Sequence, residues 1–423
     1  MPLTDSTPVR APERDSPLRT LAASVGIGYF AIALIARLPY AMIVVGVLTM
    51  VVDARGSLAV GGLTSAMVGL GTIATGPLIG AAADRWGQRP VLLLATLVQS
   101  AVLVTLVAVA YGDTPDGVLL AVSVLAGATA PQVSPMSRAR LVGAIGRMGL
   151  DRGTRGRLQE STMGYESAVD EIVFVFGPVL VGVVAIAASP AAPVLAAAAL
   201  TVVFVTAFAL HPTARTAGHA DQGAAREPAR AVLRPGILLA AAGTFATGLF
   251  FGAMLTSLTA FADEGGFPEQ TGILYGIMGI GSAILALGVG LLPRRFALPW
   301  RWIGFTAVLL IGAVLAAGAT GAISMGWALA VAGCGIGPTL ATIYALVAAR
   351  SPRGREATVM AVLGSAVVVG QAFASMVVGA LAESAGAAVA LWAPVVAVAL
   401  LLTFGLLNLR VRPRVPQEDT SAP

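Results

Sequence analysis

Lysine is absent from this chain of 423 residues, so all 26 basic residues are arginine. Cysteine occurs once, as Cys334 within an apolar run, which excludes an intrachain disulfide and a thiolate metal site. The two histidines, His211 and His219, both fall in a polar linker, so no histidine metal site is expected in an apolar segment. Charge is scarce, at 11% of residues, where a soluble domain carries roughly 25%. Aromatic residues make up 6%, fewer than a typical sugar site would draw on. Residues 1–20 lack the apolar core and small-residue cleavage site of a signal peptide. No phosphate-cradling loop, metal cluster or nucleophile–base pair stands out, so neither an enzyme nor a bound cofactor or metal is expected. Any work must draw on an ion gradient or on the substrate's own gradient.

Apolar residues fill the space, at 57% of the chain with a mean hydropathy of +0.88. They form runs of about 20 residues, the length of a membrane-crossing helix and not of a barrel strand. The 50 glycines and 25 prolines suit closely packed and broken transmembrane helices. The sequence predicts twelve spans, at 22–52, 57–82, 91–111, 117–137, 162–187, 191–210, 236–262, 270–293, 302–319, 323–349, 357–381 and 388–409. Alternate loops are rich in arginine, with Arg85 and Arg89, Arg138 to Arg157, Arg294 to Arg301, and Arg350 to Arg355. The opposite loops hold Arg55 among acids such as Asp53, Asp113, Asp263 and Glu383. The positive-inside rule then places both termini in the cytoplasm, and the even span count agrees. The net charge of +5 follows this topology pattern, so no nucleic-acid partner is expected.

The expected fold is all-α, with twelve transmembrane helices in two pseudo-symmetric bundles of six. A cytoplasmic tail over 1–21 precedes a bundle over 22–210. The linker 211–235 joins it to a bundle over 236–409, and a second tail covers 410–423. Two six-helix halves around a midplane site is a transporter plan.

Span five carries the chemistry. Glu160–Gly182 is apolar enough to cross a membrane, yet it holds Glu166, Asp170 and Glu171. Ionisable groups at this depth are costly and usually have a partner. Span one offers one in Arg37, about 15 residues in and followed by the helix-bending Pro39. Arg37 is predicted to pair with Asp170 or Glu171. Asp170 shares a helix face with Glu166, while Glu171 lies about 100° away. Two carboxylates facing one arginine in a low dielectric cannot both stay ionised, so one is expected to carry a proton. A permanent salt bridge that only fixes packing is the competing account. The second half shows no deep acid or base, only mild polar groups such as Thr339 and Tyr344 in span ten.

The loop after span two reads Gly80-Ala-Ala-Ala-Asp84-Arg85-Trp86-Gly87-Gln88-Arg89. It resembles the signature loop of the major facilitator superfamily, with Gln88 at one of the basic positions. The resemblance extends over essentially the whole chain. It implies that Gly80, Asp84, Arg85, Gly87 and Arg89 are gating residues that latch the halves in an outward-facing state. It also implies that spans one, four, seven and ten line a central cavity, where Arg37, Gln132, Thr339 and Tyr344 become substrate candidates. Gly177, Pro178 and Gly182 are similar to the span-five motif of the superfamily's antiporters, with Val173 and Val181 replacing two of its glycines. The surrounding phrase resembles that of bacterial efflux-type permeases.

These features predict a multi-pass protein of the bacterial inner membrane. It would be a monomer whose partners are lipid, protons and a small-molecule substrate. The leading expectation is proton-coupled export of a small, partly apolar drug or metabolite by alternating access. The alternatives are a proton symporter importing a sugar or organic anion, and a lipid-moving or sensor protein on the same fold.

Overall fold

A computed structural model describes residues 17–215, 227–267, 270–293 and 295–411. The predicted tails and the middle of the linker lie largely outside these residues. The first half comprises α1 (Pro17–Val25), α2 (Ile27–Ile35), α3 (Leu38–Arg55), α4 (Leu58–Trp86), α5 (Gln88–Tyr111), α6 (Asp116–Ala128), α7 (Val133–Gly146), α8 (Arg152–Ala187), α9 (Ala192–Leu200) and α10 (Thr206–Leu210). The second comprises α11 (Pro235–Glu264), α12 (Thr271–Gly288), α13 (Leu298–Ala317), α14 (Ala322–Arg350), α15 (Glu356–Ala385), α16 (Ala387–Ala390) and α17 (Ala393–Asn408). Among the described residues no strand occurs, and eleven helical segments are long and apolar enough to cross a membrane. The acid-bearing α8, 36 residues long, completes the twelve. At helical rise it reaches about 54 Å, further than a bilayer core.

Several spans differ from their predicted limits. Residues 22–25 belong to α1, which Gly26 at φ +84° separates from the first span. Span one is broken at Ala36–Arg37, where α2 ends and α3 begins with Pro39 in its first turn. Proline has no N–H to continue the ladder, so the break falls where its position requires. Span four is broken at Thr129–Gln132 beside Pro131, then continues as α7 to Gly146, nine residues beyond the predicted end at 137. Arg138 and Arg140 are therefore helical and almost fully buried, not loop residues. Arg301, also assigned to a loop, is buried near the start of α13. Pairing with acids and carbonyls offsets the burial that the sequence pattern alone argued against.

The two halves bury their apolar side chains differently. In the first half there are two large clusters and a small one around Ala41, Val169 and Val173. Leu21, Leu92, Met136, Leu141 and Phe208 belong to one on the arginine-rich side, and Met42, Met50, Leu103, Leu119 and Val194 to one on the other side. In the second half one large cluster runs from Ile237 through Trp302 and Ile343 to Leu401, beside a small one around Ala253, Ala374 and Val378. Between the halves, α4 packs on α15, α7 on α15, and α8 on both α12 and α14.

Candidate functional site

The gap between the two large first-half clusters is occupied by charge. The helix break at Arg37 aims its guanidinium at α8, where Glu166 and Asp170 lie one turn apart on one face. Arg37 Nη2 donates to Glu166 Oε2 at 2.5 Å, and Nη1 to Asp170 Oδ1 at 3.1 Å. The continuation of span four supplies a second base, since Arg138 Nη2 donates to Asp170 Oδ2 at 2.7 Å. Ser134, one turn earlier on α7, donates to the same carboxylate at 2.9 and 2.8 Å and accepts from Arg138 at 2.6 Å. Ser137 donates to Glu166 Oε1 at 2.9 Å, and its hydroxyl lies 2.8 Å from that of Tyr29. Every acceptor on the two acids thus meets a donor. Glu166 is fully buried, whereas the Asp170 side chain keeps 19% exposure.

Of the two partners predicted for Arg37, the structure brings Asp170 to it and not Glu171. Glu171 points away, as its 100° offset on the helix requires. Its Oε1 accepts from the hydroxyl of Ser282 on α12, across the boundary between the halves, at 2.9 Å. Arg37 is not the only deep base either. Arg138 was missed because it directly follows the predicted end of span four. The local signal was present: Pro131 and Pro135 show a broken helix that can restart, and Ser134 and Arg138 have the spacing of one face. Arg138 also reaches the second half, its guanidinium carbon lying 3.9 Å from the centre of the Tyr344 ring.

Arg140 occupies a second buried position and is held by neutral groups. It donates to Gln88 Oε1 at 2.7 Å and to the Phe208 carbonyl at 2.7 Å, near the end of α10 where carbonyls favour a cation. Gln88, the departure from the signature loop, is itself buried, which explains why a neutral side chain suits that position.

The loop residues fall at the arginine-rich contact between halves. Asp84 accepts from the backbone N–H groups of Ala357 and Thr358 at 3.1 and 2.7 Å and from the Thr358 hydroxyl at 2.5 Å. It thereby caps the first turn of α15, where a negative charge is favoured. A Cβ on Gly80 would stand 2.8 Å from the Ala357 carbonyl oxygen and the Ala361 side chain, so only glycine permits this approach. Gly87 has φ +90°, a conformation glycine adopts without strain. Arg85 and Arg89 are exposed, with Arg85 5.9 Å from the Trp86 ring. A second contact between the halves was not visible in the sequence. Glu160 of α8 accepts from Arg301 of α13 at 2.5 Å, while Arg301 also donates to the carbonyls of Phe296, Leu292 and Pro293.

The remaining candidates fall into less polar settings. α8 runs unbroken through Gly177 and Pro178. Gly177 lies against Ala41 of α3, and nothing comes within 4 Å of a Cβ on Gly182. The Pro178 side chain lies outside the described residues. Gln132 is buried and donates to the Ala130 carbonyl, and Thr339 donates to the Gly335 carbonyl one turn back on its own helix. Tyr344 is the cavity candidate that meets the charged group directly.

The sequence profile of the Major Facilitator Superfamily matches residues 26–367. Among solved structures, the chain is similar to the human organic anion transporter MFSD10 (TETRAN), at 16% identity and a TM-score of 0.68, over 91% of this chain and 99% of that one. It is similar to a bacterial homologue of the iron transporter ferroportin in an outward-facing state, at 15% identity and a TM-score of 0.69, over 92% and 99%. The Escherichia coli fucose:proton symporter aligns at 14% identity and a TM-score of 0.64, over 91% and 99%. At these identities the likeness is one of fold. No curated protein matches the chain significantly in sequence.

Proposed function

The chain belongs to the major facilitator superfamily and is a multi-pass membrane transporter, not an enzyme, and from that premise we propose that it exports a small, partly apolar drug or metabolite in exchange for protons. The observation that carries this reading is the group at the α2–α3 break, α7 and α8, which holds three acids against two bases: Glu166, Asp170 and Glu171 with Arg37 and Arg138. Buried charge in excess of its partners is costly in a membrane. A proton on one carboxyl removes that excess, and its uptake and release can bias one conformation over another. Among the described residues the second half places no charged side chain in an ion pair with this group, which suits a substrate recognised by apolar contact. The protein works as a monomer without bound cofactor or metal, in a bacterial inner membrane with both termini cytoplasmic, and the proton gradient supplies the energy.

A second reading has one observation in its favour. Asp170 is partly exposed between two guanidiniums and a serine, which is a setting for a carboxylate. An organic anion could take that place in a proton symporter. Proteoliposomes with a trapped pH indicator distinguish the two when challenged with a panel of apolar drugs and organic acids. Export by exchange requires protons to move opposite to the compound, and symport requires them to move with it. Compound movement without any proton flux refutes both.

A further inference from the structure

The superfamily fold does not say which carboxyl of span five carries the proton, and the three differ in what protonation would break. Glu166 and Asp170 each accept from arginine, at 2.5 Å for Glu166 and at 3.1 and 2.7 Å for Asp170. Protonating either one removes half of an ion pair and leaves a buried guanidinium short of countercharge, the arrangement buried ion pairs tolerate least. Glu171 is in a different position. Among the described residues no arginine comes within salt-bridge distance of it, and its hydrogen-bond partner is a hydroxyl. A serine donates to a carboxylate and can turn to accept from a carboxylic acid, so both states of Glu171 keep one bond. The titratable groups facing it are few. Tyr275, on α12, lies within electrostatic reach, and Asp170 is its neighbour on α8. On α14, the helix behind Ser282, the facing residue is the neutral Gly337.

The location adds the second half of the argument. Ser282 is fully buried and pressed against Gly337, so its hydroxyl is fixed between α14 and α8. Its bond to Glu171 is a contact between the halves, made where α8 packs on α12 and α14. Within the proton-coupled reading above, we infer that Glu171 is the carboxyl that carries the proton, and that Ser282 positions it so that the second half responds to its charge. Neutral Glu171 is compatible with the closed, buried contact seen here. Ionised Glu171 requires water, and water reaches it only when α8 parts from α12. Protonation therefore favours closure on the arginine-rich side and deprotonation favours opening there.

The test uses the full chain in lipid nanodiscs with Cys334→Ala and spin labels at Arg152→Cys and Arg353→Cys, exposed positions on the two halves at the arginine-rich side. Inter-label distances are measured from pH 5 to pH 9. The wild-type background should shift from a short to a long distance population as pH rises. Glu171→Gln, which keeps the shape and stays neutral, should hold the short population at every pH. Ser282→Ala should keep the response but move its midpoint, a change that a purely packing role would not produce. A Glu171→Gln protein with the wild-type pH response overturns the inference and leaves proton coupling to another group. A wild-type background with no pH response overturns the coupling reading itself and this inference with it.

Discussion

The two halves of this transporter solve the same packing problem with opposite means. The second half buries most of its apolar side chains in one large continuous cluster. The first half divides its core in two and places Arg37, Arg138, Glu166 and Asp170 between the parts. Both arrangements pair most of their buried polar groups, with Arg37 Nε and Arg138 Nε among those left over in the first half and Trp302 Nε1 and Thr306 Oγ1 in the second. They differ in what a single lost atom costs. In a continuous apolar core a change is local, whereas in a charge-balanced group each member is the countercharge of another. The first half is thus stable only while its charges remain matched, which is also the condition that lets one proton have a large effect.

The sharpest way to break the comparison is to unbalance that group. Arg138→Ala leaves Asp170 with one guanidinium and removes the ring contact to Tyr344. Removing one partner of a buried pair costs about 3–5 kcal/mol, so folded yield in detergent should fall steeply and gradient-driven transport should disappear. Pairing it with Asp170→Ala, which restores the balance, should recover folding but not transport. If the double variant is no better folded than the single one, the charges are not coupled.

A smaller effect is expected where the halves meet. Asp84→Ala removes the cap on α15, and loss of an N-cap side chain costs about 1 kcal/mol. Asp84 touches only the other half at that point, so the cost falls on the closed conformation and not on the fold. The ratio of closed to open molecules should fall about five-fold. Maleimide labelling of a cysteine placed at the buried Ala361 should speed up to match, in a background with Cys334→Ala. Glu160→Gln, at the second contact, should act in the same direction and add to it. An unchanged labelling rate in both variants would mean that neither contact holds the halves together.

What could be read in advance follows the same division. Apolar runs were enough to place the twelve spans roughly, because these depend on local composition, whereas Gly80 and Asp84 were singled out only by the resemblance of their loop to the superfamily's signature. The break in span one was signalled by Pro39, whereas span four was expected to run unbroken over 117–137 although Pro131 carries the same signal. The partner of each charge was harder. Arg37 was identified from its depth, but Arg138 and Arg301 were hidden at predicted span ends. There the rule that arginines mark loops competes with their ability to be buried against an acid. Glu171 was kept beside Asp170 as a partner for Arg37 although the 100° between them on the helix was legible, because the sequence could not say which face Arg37 meets. Its partner Ser282 is 111 positions away, in a span that gave no sign of charge.

The smallest effect belongs to the half that adds no charge to the Arg37–Asp170 group. Thr339 is fully buried, and its hydroxyl donates to the Gly335 carbonyl on its own helix. That carbonyl already accepts the helix N–H one turn on, so Thr339→Val leaves no backbone group without a partner. The replacement has nearly the same shape, and the change in stability should stay below about 1 kcal/mol. Transport rates should also be unaltered if the second half contributes surface instead of specific hydrogen bonds. A Thr339→Val protein that folds normally but changes its substrate preference would show that this hydroxyl turns from its helix to the substrate during the cycle. The contrast between the halves would then describe the closed conformation alone.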